Sequence, residues 1–172
     1  MKRPKPRKYK EMKKNVLIRA AGFAALLFAF SFTAFAQDKE PPKESKFDAE
    51  LAKQLGADKM GMRSYVLVIL KTGPKRVADG PERDEMFKGH FANMGRLANE
   101  GKLVLAGPLD GVDGRRGLYI FNTADIEEAK RWTETDPVII KGEMIGEYHK
   151  YYGSAALMMV NEIHGKIAQT NP

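Results

Sequence analysis

Residues 89–111, GHFANMGRLANEGKLVLAGPLDG, join a histidine-bearing helix to a short apolar strand through one tight turn. At 100° per residue, Met86, Phe87, Phe91, Met94, Leu97 and Ala98 share one arc, with Lys88, Asn93 and Arg96 opposite. His90 falls inside the apolar arc. Asn99, Glu100 and Gly101 then supply polar residues and a left-handed stop, and the apolar run 103–106 ends at Gly107-Pro108. The stretch reads as helix, cap, buried strand and turn, within a first helix over 82–100.

Toward the C-terminus, the turn signals of LDGVDG at 109–114 and the run LYIF at 118–121 predict an antiparallel hairpin of strands two and three. Asp125, with Glu128 three residues on, opens a second helix through Ile126, Ala129, Trp132 and Thr133. Pro137 ends that helix near Asp136, and Trp132 is its core anchor. Residues 138–141 fit more than one state; 143–151 read as a fourth strand, and Gly153-Ser154 cap a final amphipathic stretch over 155–168. Toward the N-terminus, YVLVIL at 65–70 is strand one and 71–81 a loop. Phe47, Leu51 and Leu55 recur at the spacing of a short helix laid on the domain surface.

The order βαββαβ is α+β and ferredoxin-like: a four-stranded antiparallel sheet with both helices on one face, followed here by an extra C-terminal helix. Strand one is apolar without alternation, so the second face is expected to be buried too. The simplest cover is the same sheet of a second subunit, giving a homodimer.

Residues 1–36 carry an address rather than a fold. Nine Lys or Arg and one acidic residue fill 1–19, an apolar run fills 20–32, and Ala34-Phe35-Ala36 precedes Gln37, the pattern of a secretory signal peptide cleaved after Ala36. The expected location is periplasmic or secreted, with membrane contact only through an uncleaved leader. Removing the leader from 29 basic and 22 acidic residues leaves 20 against 21, so the formal charge of +7 becomes about −1. Nucleic-acid binding, which needs a standing positive surface, is excluded as the main function. The organisation is leader 1–36, tether and short helix 37–63, domain 64–152 and C-terminal helix 153–172. With no cysteine in the chain, disulfides and thiol chemistry are absent.

His90 on the inward arc of the first helix and Asp136 at the end of the second both point toward the sheet. An ionised carboxylate at a helix C-terminus faces the negative end of the dipole, so Asp136 needs a cationic or hydrogen-bonding partner, and His90 is the candidate. A carboxylate that fixes the tautomer of an imidazole builds a general base. The plainer alternatives are a hydrogen-bonded core histidine and an Asp that merely terminates a helix before Pro, and on pattern alone these are favoured. Lys71, Arg116 and His149 are candidate substrate-binding residues. His90, His149 and His164 lack metal-ligand spacing, so neither a metal nor another cofactor is expected.

His90-Phe91-Ala92 with Arg96-Leu97, then Glu100-Gly101-Lys102-Leu103 into Ala106-Gly107-Pro108, then Asp125 to Ala129 and Asp136-Pro137, resemble the YCII-related (YciI-like) family over residues 65–152. The resemblance implies a ferredoxin-like subunit of a dimeric α/β barrel, with a His–Asp site at His90 and Asp136, and raises the functional reading of the pair above the structural one. One relative in the wider group is a dehydrochlorinase of a chlorinated hydroxyquinol. The chain departs from the family in its leader, in its segment 47–62 and C-terminal helix, and in Tyr151, where relatives often carry Trp. The reading is an exported protein performing His/Asp acid–base chemistry, elimination or isomerisation, on a small organic ligand. The alternative is a non-catalytic ligand-binding or accessory domain; a haem-binding reading rests on one helical histidine alone.

Overall fold

The structure, a computed structural model, describes residues 46–170. The leader, its cleavage site after Ala36 and residues 37–45 of the tether lie outside the described residues. A short helix, α1 (Ala49–Gln54), is capped by Asp48, whose carboxylate accepts the Leu51 N–H at 2.9 Å, and none of its side chains is buried. There follow β1 (Met62–Thr72), α2 (Pro81–Asn99), β2 (Leu103–Pro108), β3 (Arg115–Phe121), α3 (Ile126–Thr133), α4 (Pro137–Ile140), β4 (Met144–Ser154) and, after a 3-10 turn over Ala155–Met159, α5 (Val160–Ile167).

The strands form one antiparallel sheet in the order β2-β3-β1-β4, a mixed α/β arrangement compatible with a ferredoxin-like fold. β1 is the central strand, in register with β4 from Met62 opposite Ser154 to Thr72 opposite Met144. Both strands therefore extend past the 64–152 boundary read from the sequence. Gly73 permits the next turn: a Cβ there would lie 2.1 Å from the Gly142 carbonyl oxygen, and the Gly73 N–H donates to the Glu143 carbonyl at 2.8 Å.

Burial in β1 differs between the two faces of the strand within one subunit. Val66, Val68 and Leu70 are buried in the main core with Met86, Leu97, Tyr119, Phe121, Ala129 and Val138, whereas Leu67 and Ile69 on the opposite face are only half-buried. Part of that opposite face is closed by the chain itself. Leu157 and Met158 pack on Tyr65, Val104 and Ile120, and Asn161 Nδ2 donates to the Leu103 carbonyl at 2.8 Å.

On α2 the buried line is Met86, His90, Asn93 and Leu97, at spacings of four, three and four. This rotates the inward face from the one read off the apolar residues: Asn93 is inside and Phe91 is 46% exposed. Asn93 is tolerated because its Oδ1 accepts from Arg96 Nη2 at 2.7 Å and from Thr135 Oγ1 at 3.0 Å, although its Nδ2 has no partner. Trp132 is only partly buried, edge-on to Phe121 at 5.6 Å.

The second helix also differs from the expectation. Asp125 caps α3 by accepting the Glu127 N–H at 2.9 Å, but Glu128 bonds to Thr123 Oγ1 at 2.6 Å rather than returning to the cap. α3 stops at Thr133, and α4 takes in residues 138–140 of the stretch 138–141 that was open between states in the sequence. Asp136 is the N-cap of α4, not the C-terminus of α3. Its carboxylate accepts the Val138 N–H at 3.1 Å, so it meets the favourable end of a helix. Pro137 causes the change: it cannot continue a helix behind it, and it is well suited to the first position of one ahead of it.

Candidate active site

Three elements meet at one carboxylate. Asp136 is fully buried, and its Oδ2 and Oδ1 lie 2.8 and 3.0 Å from His90 Nδ1 on α2. The Tyr119 hydroxyl on β3 donates to Oδ2 at 2.9 Å, and Val138 of α4 supplies the third donor. Tyr119 Oη is also 3.4 Å from His90 Nδ1, and the two rings stack with centroids 6.4 Å apart. A buried anion that accepts three hydrogen bonds has its desolvation largely offset, which is the condition for keeping a charge inside a core.

The arrangement favours one tautomer of the imidazole. In the tautomer that donates Nδ1–H to the carboxylate the lone pair lies on Nε2, and Nε2 has no protein hydrogen-bond partner among the described residues. His90 retains 8% of its surface, flanked edge-on by Phe87 at 6.0 Å and Phe91 at 5.4 Å. Those two rings, with Asp84, Lys88 and Ala92, border a shallow groove of about 590 Å³ along α2, and His90 is not part of its wall.

Tyr119 is a member of the site that the sequence reading missed. Burial first, and then the charge of Asp136 and the bond to it, push its hydroxyl well above the ordinary tyrosine range. The available signal was its register: in LYIF it shares the core-facing parity with Phe121, and a core tyrosine needs a partner for its O–H. The other missed signal is Gly89. A Cβ on it would lie 3.0 Å from Pro137 Cγ, so a hydrogen at this position lets α2 approach α4 closely enough to bring His90 onto Asp136.

The three candidate binding residues separate. Lys71 and His149 lie on the sheet face opposite to α2, both paired to Glu147, at 3.3 Å from Lys71 Nζ and 2.8 Å from His149 Nε2. The bond to His149, and next the one to Lys71, hold the Glu147 carboxyl below its ordinary range. The structure does not bring either residue to the His90 imidazole, because period-two alternation puts the sheet between them. Arg116 differs. Its Nη1 reaches over the end of the sheet to within 3.9 Å of Glu143 Oε1, the carboxylate that binds Arg83 of α2 at 2.8 Å. Burial works to raise the Glu143 carboxyl, but the Val77 N–H at 2.7 Å and the Arg83 guanidinium outweigh it and hold it below the ordinary range. Among the described residues no three His, Asp or Glu side chains converge as metal ligands.

Fold and site together define an α/β domain with ferredoxin-like strand order, built around a buried histidine–carboxylate pair. Residues 64–148 match the family model of the YCII-related domain, and this part of the chain belongs to that family. No curated protein matches the chain.

Proposed function

We propose that the protein is an exported enzyme that performs general acid–base chemistry, elimination or isomerisation, on a small organic molecule, with His90 Nε2 as the base and Asp136 orienting it. The observation that carries this is the division of the imidazole: Nδ1 is held by a fully buried carboxylate, and Nε2 is left without a protein partner among the described residues. Tyr119 positions the carboxylate. Export is supported by the leader pattern of residues 1–36, and a two-fold dimer by the apolar strip of Leu67, Ile69, Leu105, Leu118 and Ile145 on the sheet face opposite to α2 and α3.

A non-catalytic ligand-binding domain is the second reading, and the 8% exposure of His90 favours it. A thermal-shift screen of the protein without its leader against a metabolite library, followed by turnover assays of the hits, separates the two. The catalytic reading expects a hit that is consumed by wild type and not by His90→Gln. Hits that bind unchanged and are never consumed would establish the binding domain instead.

A further inference from the structure

We infer that Arg96 and Asn93 are positioning residues of the His90–Asp136 pair, forming a clasp that holds the segment carrying Asp136 along α2. This rests on the reading of His90 Nε2 as the reactive group and adds the residues that fix the place of its partner.

Residues 135–137 meet α2 in reverse order, so the segment lies antiparallel to the helix. Pro137 is against Gly89, where a Cβ would stand 3.0 Å from Pro137 Cγ; Asp136 meets His90 at 2.8 Å; and Thr135 Oγ1 accepts from Arg96 Nη2 at 3.0 Å. Gly89, Asn93 and Arg96 follow one another at spacings of four and three, the stripe of one helix face. Arg96 Nη2 also donates to Asn93 Oδ1 at 2.7 Å and Nη1 to Glu100 Oε1 at 2.8 Å, so α2 itself anchors the guanidinium through both nitrogens. The Thr135 hydroxyl has one proton for two acceptors, Asn93 Oδ1 at 3.0 Å and the Trp132 carbonyl at 2.7 Å. Arg96 Nη2 has two protons, and it binds Asn93 and Thr135 whichever way that hydroxyl turns.

The clasp is not arranged for stability. Asn93 is 7% exposed and its Nδ2 has no hydrogen-bond partner among the described residues, so it carries the desolvation of an unpaired amide where a leucine would carry none. What the amide supplies is Oδ1, the acceptor that fixes Arg96. The Arg96 side chain is 45% exposed, where an ion pair to Glu100 contributes little to folding. Both residues therefore act on where Thr135, and the Asp136 bonded to it, sits along α2. The pair responds to that placement, because a hydrogen bond weakens steeply with misalignment.

The test is solvent exchange of the His90 Nδ1 proton, followed by proton NMR in the protein, beside urea unfolding of the same variants. Asn93→Leu should be at least as stable as wild type and yet exchange that proton faster, by roughly fivefold or more. Arg96→Gln and Thr135→Val should each accelerate exchange to a similar extent, and the double variant no further, since the two residues make one tie. Arg115→Gln removes an ion pair of similar exposure, to Asp113, and should keep the wild-type rate. Wild-type exchange in Arg96→Gln, acceleration matched by an equal loss of global stability, or additive acceleration in the double variant would overturn the clasp. A wild-type Nδ1 proton without protection would remove the pair and the inference with it. Turnover is not measured: a His90 that binds without reacting leaves every expected rate as stated, so a failure of the catalytic reading and a failure of the clasp remain distinct.

Discussion

Gly89 and Pro137 are in contact: a Cβ on the glycine would stand 3.0 Å from Pro137 Cγ, one residue along each chain from the His90–Asp136 pair. The closeness of the two functional side chains is thus a consequence of how closely α2 and α4 approach.

Gly89 and Gly95 sit in the same helix, which makes a controlled comparison. In an open helix interior Gly→Ala gains about 1 kcal/mol from backbone entropy. Gly95 has no atom within 4 Å of its added Cβ, so Gly95→Ala should show that gain in urea unfolding. Gly89→Ala should not, because the methyl presses on Pro137 and moves Asp136 from His90. A stabilised Gly89→Ala would show that α4 yields freely.

Asp136→Asn replaces an acceptor of three hydrogen bonds with an amide that must present an N–H₂ to one of the donors. A loss of about 3 kcal/mol is expected, because a buried donor is left without its acceptor. The hydrogen-bonded Nδ1 proton of His90 should be visible in proton NMR of the wild type and should exchange into solvent in the variant. Its persistence would uncouple the pair.

Tyr119→Phe removes one bond to a buried anion and should cost about 1.5–3 kcal/mol at neutral pH. The folded state holds the Tyr119 proton more tightly than the unfolded chain, whose value is near 10.0. The contribution is therefore present below that value and declines as pH rises beyond it, so wild type should lose stability there more steeply than Tyr119→Phe. Parallel curves from urea melts at rising pH would contradict this.

Glu143 acts with the opposite sign. Its carboxyl is held below the ordinary value of 4.5, so its contribution is present above that pH and is lost as pH falls through the lower folded value. Glu143→Gln should cost about 3 kcal/mol at neutral pH by leaving Arg83 without its buried partner. Acid titrations of stability should be flatter in the variant as pH falls below 4.5; an unchanged slope would assign acid sensitivity elsewhere.

The elements and their order were legible in the sequence because each is set locally: apolar periodicity for α2, the Asn99-Glu100-Gly101 stop, the turn signals before β3, and the Asp125 cap. His90 and Asp136 were legible as a pair for a reason that proved only half right. The carboxylate does need a partner, but because it is buried, not because it faces the wrong end of α3. A proline ends one helix and starts another equally well, and the choice at Pro137 depends on what α4 packs against.

Other features were decided only by tertiary structure. Which side of α2 turns inward was fixed by neighbours that let Asn93 bury its carbonyl oxygen, and hydropathy alone pointed Phe91 there instead. The sheet face on which Lys71 and His149 lie followed from register, since period-two alternation assigns sides only once the pairing is known. Tyr119 entered the site because a third element happened to present a hydroxyl where two helices had already brought an imidazole and a carboxylate. Such a convergence over 46 residues of sequence separation, from His90 to Asp136, leaves no local periodicity to read, because it is made by packing.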